Sequence, residues 1–248
     1  MPVMLSIAGF RLLFSGDDLC CFIHAMPFFR PFVTSCTEKA DFIVSEELDE
    51  TDTARLATAC ERGGSYFDVS FEDITCHFYR NSDTLAFHMN EEHSGKELWE
   101  TWKIGDSTVR TSIVRATATM YRYALWTAVN FLTCGHGCVA IHSSANVFDG
   151  RAAIFLGESG TGKSTHTRLL RERYPESFLL NDDSPFVRVM PDGNVVVFGS
   201  PWSGKTPCYK AESYPLAAIV RLSQAPHNKI QKLNPIQAIG ALLPSAPP

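Results

Sequence analysis

The chain has 248 residues, 45% hydrophobic and 20% charged, which is enough to bury one large core or two ordinary ones and has the balance of a soluble globular protein. A formal charge of −5 and an isoelectric point near 5.9 lack the basic footprint that a nucleic-acid backbone requires, so nucleic acid is not an expected partner. Eight cysteines without disulfide-framework spacing, and an apolar start with no basic leader, exclude a secreted framework, a signal peptide and a membrane span, and set a cytoplasmic location as the expectation.

In chain order, Met4 to Phe14 reads as a strand and Ala40 to Val44 as another. The acidic run from Ser45 to Asp52 reads as a solvated turn or helix start. Phe67, Val69 and Phe71 alternate with Asp68 and Ser70, and Leu85, Phe87 and Met89 repeat that period beyond the turn Asn81-Ser82-Asp83. Ser107 to Val114 adds a further strand, and Trp99, Trp102 and Trp126 are assigned to cores. These segments predict a mainly β domain over residues 1–114. From Arg115 to Leu132 the spacing becomes helical through Met120, Tyr123, Ala124, Thr127 and Phe131, with Gly135 as the cap, and a second domain is expected over 115–248. Cys134-Gly-His-Gly-Cys138 lacks a second ligand pair at zinc spacing and is not assigned a metal.

The second domain continues with short apolar runs, Val139 to His142, Asn146 to Phe148 and Ala152 to Leu156, the last two separated by an Asp149-Gly150 turn. A helix from Lys163 to about Arg173 ends near Pro175, and Phe178 to Leu180 runs into Asn181-Asp182-Asp183. Phe186 to Met190 and Val195 to Phe198 flank the turn Pro191-Asp192-Gly193. Asn234-Pro235 supplies an N-cap and a first-turn proline for a helix from Ile236 to Leu243, stopped at Pro244.

Gly157, Gly162, Lys163 and Ser164 satisfy G-x-x-x-x-G-K-S/T between an apolar strand and a helical segment. Glycines allow the tight bend that points successive backbone N–H groups at phosphate oxygens, the lysine adds a fixed charge, and the helix start adds its dipole. The candidate nucleotide-binding residues are therefore Gly157, Glu158, Ser159, Gly160, Thr161, Gly162, Lys163, Ser164 and Thr165, with Ser164 placed to ligate Mg²⁺. Asp182 and Asp183 end a strand nineteen positions after Lys163. Extended, adjacent side chains point to opposite sides, so one carboxylate can meet a metal while the other meets a nucleophile. The plain alternative is an Asx-turn leading into Pro185. His142, alone, reads more readily as a structural or surface histidine than as a catalyst.

Taken together, "AIHSSANVFDGRAAIFLGESGTGKST" and "FLLNDD" resemble the catalytic domain of HPr kinase/phosphorylase and, more distantly, ATP-dependent phosphoenolpyruvate carboxykinase. The resemblance spans roughly residues 116 to 222. It implies an α/β P-loop domain of the HPr kinase C-terminal type behind the mainly β one, so an α/β and α+β fold class. It also implies a kinase that uses ATP and Mg²⁺ to phosphorylate a hydroxyl on a protein, a peptide or a small molecule. By position, Asp182 takes the base role and Asp183 and Ser164 the metal role, in an order that could be exchanged, with Lys163 and His142 at the reacting phosphate. The family's arginine-bearing signature loop is not found, and "GSPWSGKTPCYK" stands in its place, where Lys205 reads either as a phosphate-reaching residue or as an exposed turn lysine. The carboxyl end is shorter than such relatives lead one to expect, which puts a lid or an oligomer contact in question and leaves a homo-oligomer open. A nucleotide-binding or sensing module without turnover is the alternative reading.

Overall fold

A computed structural model of the protein describes all residues except Cys36, 113–115, Ser159, Lys205 and Pro248. It is mixed α/β with mostly β content, and the chain divides into two compact units, Met1–His136 and Gly137–Pro248.

The first unit contains β1 (Val3–Ile7), β2 (Phe10–Ser15), α1 (Asp17–Ala25), β3 (Val33–Thr34), β4 (Phe42–Leu48) and α2 (Glu50–Gly63). It continues with β5 (Phe67–Phe71), β6 (Ile74–Asn81), β7 (Thr84–Glu91), β8 (Lys96–Lys103), β9 (Thr108–Ser112) and α3 (Ala118–Cys134). Among the described residues its strands form one sheet in the order β3-β1-β2-β4-β9-β8-β7-β6-β5. Three differences from the sequence reading have local causes. Met4 to Phe14 is a hairpin, because Ala8 and Gly9 both take positive φ (54° and 76°) and close a two-residue turn of the kind whose twist matches the strands. The acidic run is divided: its first residues extend β4, and Asp49 caps α2 by accepting from the Thr51 and Asp52 amides. The helix expected to open the second domain belongs to the first unit, since α3 packs on β8 and β9, with Phe131 stacked on Trp102 at 5.8 Å and Tyr121 on Phe22 at 5.2 Å. The unit division thus falls after α3, and the expected boundary at 114/115 lies outside the described residues.

The second unit contains β10 (Cys138–Ala140), β11 (Ser143–Phe148), β12 (Arg151–Leu156), α4 (Lys163–Arg173) and β13 (Phe178–Asp183). After them come β14 (Phe186–Val189), β15 (Val195–Phe198), β16 (Ser213–Arg221) and α5 (Pro235–Leu242). The sheet runs β10-β14-β15-β16-β12-β11-β13. Ile141, Ala145, Val147, Ile154, Leu156, Leu180 and Val197 form its core. The N-cap expected at Asn234 is present and is part of a capping box that Gln237 closes, and Pro244 falls in a short 3-10 turn after α5. No helix among the described residues is long and apolar enough to cross a membrane.

Candidate functional site

The strand order brings three chain segments to one edge of the second sheet. β11 lies between β12 and β13 and is antiparallel to both, while α4 carries the chain across it. The carboxyl ends of β12 and β13 therefore meet the amino end of β11. In register, Ser144 stands opposite Phe155 on one side and Asp182 on the other, and Ser143 stands opposite Asp183. This places the glycine-rich loop, His142 and the paired aspartates around one point, although β12 and β13 are not neighbours.

The loop has the form of a phosphate cradle. Gly162 sits at φ 103° as the residue preceding α4, so Lys163 opens the helix and the unpaired N–H groups of its first turn face the loop end. Gly157 takes φ 151°, and a Cβ there would lie 2.5 Å from Thr161 Oγ1, which donates to the Glu158 carbonyl at 2.8 Å. At Gly160 and Gly162, by contrast, a Cβ would meet nothing within 4 Å, so the loop leaves open space beside these backbones. Two contacts from beyond β16 brace it: the Leu222 amide donates to the Leu156 carbonyl at 2.9 Å, and Gln224 Nε2 to the Gly160 carbonyl at 3.2 Å. Ser159, expected in the cradle, lies outside the described residues.

Lys163 Nζ donates to the Gly157 carbonyl at 2.6 Å and sits 3.3 Å from both the Glu158 carbonyl and His142 Nε2. The other ring nitrogen, Nδ1, is 3.2 Å from Asp183 Oδ1. One tautomer satisfies this chain, in which Nδ1–H donates to Asp183 and Nε2 accepts from the lysine. Partial burial pulls the Lys163 ammonium below its ordinary pKa, against the pull of Asp183 and Asp182, which favour the charge.

The two aspartates have separate surroundings. Asp182 is buried and its Oδ1 accepts from Ser144 Oγ at 2.7 Å. Its carboxylate also borders a cavity of about 240 Å³ shared with Ser164 and Thr165 of the cradle and with Arg168, Arg171 and Thr206. Asp183 is more open and strained, at φ 140°, where a residue with a Cβ is disfavoured. What holds the pair is the segment 199–208. Fully buried Asn181 donates to the Ser200 carbonyl at 3.2 Å and the Trp202 carbonyl at 3.1 Å, and accepts from the Ser184 amide at 2.9 Å. Gly204 gives its amide to the Asp182 carbonyl, and a Cβ on Gly204 would lie 3.1 Å from the Asp182 carbonyl oxygen and 3.3 Å from Asp183 Cβ, so a larger residue would have to push this strand end back by a few tenths of an ångström. Lys205, the expected catalytic residue of that segment, lies outside the described residues.

A strand-to-helix glycine loop with a lysine, facing acids at the end of a strand parallel to its own, has the form of an α/β phosphate cradle. A family model described as Phosphoenolpyruvate carboxykinase matches residues 106–193, about a third of the chain, and that stretch includes His142, the cradle and both aspartates. The matched stretch is thus similar to an ATP-using P-loop family that is related to HPr kinase and also uses divalent metal ions. No curated protein matches the chain.

Sequence reading did not find Ser144, Asn181, Gln224 or Arg168 and Arg171 of α4. Ser144 and Asn181 act through cross-strand register, and Arg168 and Arg171 look like ordinary exposed helix residues until the opposite wall is in place.

Proposed function

We propose that the protein is an HPr-kinase-like phosphotransferase that moves the γ-phosphoryl group of ATP to an acceptor hydroxyl. The observation that supports it best is the division of labour at β13: Asp182 opens on a cavity beside the cradle, while Asp183 faces Lys163 and His142. With Oδ1 engaged by Ser144, the second oxygen of Asp182 is the one to take the acceptor proton. The acceptor oxygen then bonds to the γ-phosphorus as the bond to the bridging oxygen breaks and ADP leaves. A base so placed contributes about 10²- to 10⁴-fold. Lys163, released from the loop carbonyls, would follow the phosphates, and His142 would hold Asp183 in place.

The donor set suits Mg²⁺. Ser164 and Asp183 offer hard oxygens, and among the described residues no cluster of three or more His, Cys, Asp or Glu forms a closed protein cage. Such a set fits a cation shared with nucleotide phosphates. When bound, Mg²⁺ supplies charge neutralisation at the β- and γ-phosphates.

The test is to incubate the full chain with γ-labelled ATP, Mg²⁺ and candidate acceptors, and to repeat it with Asp182→Asn. Label should pass to an acceptor, and the variant should lose transfer while retaining ATP binding. Transfer that survives removes Asp182 as base. ATP binding with neither transfer nor hydrolysis, insensitive to both aspartates, would leave the sensing module, and no ATP binding would end both readings.

A further inference from the structure

We infer that the cavity beside Asp182 is the acceptor's seat, and that the acceptor is a small hydroxylated anion whose carboxylate or phosphate is held by Arg171 with help from Arg168. The inference rests on the phosphotransferase reading and adds the acceptor's chemical class. Ser164, Arg168 and Arg171 are spaced four and three apart, so they share one face of α4, and Arg171 lies about 10 Å along the axis from the cradle. Across from them stand Leu179 and Asp182 of β13 and Thr206. The cavity is thus lined by the Ser164 hydroxyl of the cradle, a carboxylate and two guanidinium groups.

The two cations differ in how far the fold engages them. Arg168 pairs at the surface with Glu172, one turn on. Arg171 is half-buried, yet it makes no hydrogen bond or ion pair with any described residue, although a guanidinium presents five donors in a fork that matches an oxyanion. A volume of about 240 Å³ falls below the ~300–1,000 Å³ of drug-sized ligand pockets, which favours a small metabolite. The charge distribution also orients it. An anionic group is drawn to Arg171 and repelled by Asp182, so it binds at the far end and leaves the hydroxyl beside the base and the incoming phosphoryl group.

The experiment uses calorimetry on the full chain. AMP-PNP and Mg²⁺ are titrated first to fill the cradle; inorganic phosphate and, separately, malonate are then titrated into the complex at millimolar concentration. At least one anion should bind, Arg171→Gln should weaken it about tenfold or more, and Arg171→Lys should lie between. The preferred anion tells phosphate from carboxylate. AMP-PNP affinity within about twofold of the parent shows that the variants are folded and that the cavity is not a nucleotide subsite. Absence of anion binding, binding unaffected by Arg171→Gln, or an equal loss of AMP-PNP affinity overturns the inference. If the parent itself fails to bind AMP-PNP, the nucleotide reading falls, and the anion titrations of parent and Arg171→Gln still decide the cavity.

Discussion

Replacing Asn181 by alanine should cost the second unit about 4 kcal/mol. The side chain is fully buried, and its amide reaches the Ser200 and Trp202 carbonyls while its oxygen accepts from the Ser184 amide. Ser200 Oγ lies 2.6 Å from the Ser184 carbonyl and 3.0 Å from that of Trp202, but its one proton can serve only one of them. Truncation therefore removes the Asn181 acceptor from the Ser184 N–H and the Asn181 donor from the Ser200 and Trp202 carbonyls, buried groups whose lost bonds cost about 1–3 kcal/mol each, and leaves a small void. That is a large share of the ~5–15 kcal/mol that holds a typical domain. Labelling with 5-fluorotryptophan gives Trp202, the second unit's own tryptophan, a separate ¹⁹F signal whose urea transition can be followed. Asn181→Asp keeps the acceptor but turns the donor into an oxygen facing carbonyls, so it should destabilise at least as much. A loss under about 1 kcal/mol for the alanine variant would refute the claim that this amide ties 199–208 to β13.

Ser144→Ala removes the donor to Asp182 and should lower phosphoryl transfer by roughly ten- to a hundredfold with ATP affinity intact, since hydrogen bonds to charged groups contribute about 1.5–3 kcal/mol; a KM effect without a kcat effect would assign Ser144 to binding instead. Gly157→Ala combines an unfavourable φ with a close approach to Thr161 Oγ1 and should weaken AMP-PNP binding about tenfold or more by calorimetry; parent-like affinity would mean the loop relaxes freely. In the first unit, burial pushes the Glu100 carboxyl well above the ordinary range. The folded chain then keeps a proton that the unfolded chain releases near pH 4.3, so the stability linked to Glu100 is complete below that pH and is lost as pH rises toward the folded value. Relative to Glu100→Gln, parent stability in urea should decline as pH rises above about 4.3, and parallel profiles would refute this.

Much of this architecture can be read from local chemistry, because turn residues and caps act over a few positions. The Asp149-Gly150 and Pro191-Asp192-Gly193 turns and the Asn234 cap are of that kind. The β1–β2 hairpin escapes such reading because an alanine occupies a left-handed position that usually carries asparagine or glycine, inside an otherwise unbroken apolar run. The placement of α3 depends on which sheet its buried face meets, and a helical period does not name its partner. At the site, the spacing of glycines and lysine is visible along the chain. The link from His142 to Lys163 and Asp183 arises only because β11 runs back between two parallel strands, which spacing does not disclose.

That inserted strand also bears on how the protein is made. His142, the cradle and both aspartates fall within one uninterrupted stretch, residues 142–183, whose three strands pair among themselves, β11 with β12 through a two-residue turn and with β13 across α4. A ribosome releases this stretch before β16, the cradle strand's other partner, and before the Leu222 and Gln224 braces. Short loops close at low entropic cost, so the chemical groups can gather during synthesis, with the final tightening of the phosphate loop left to the last quarter of the chain.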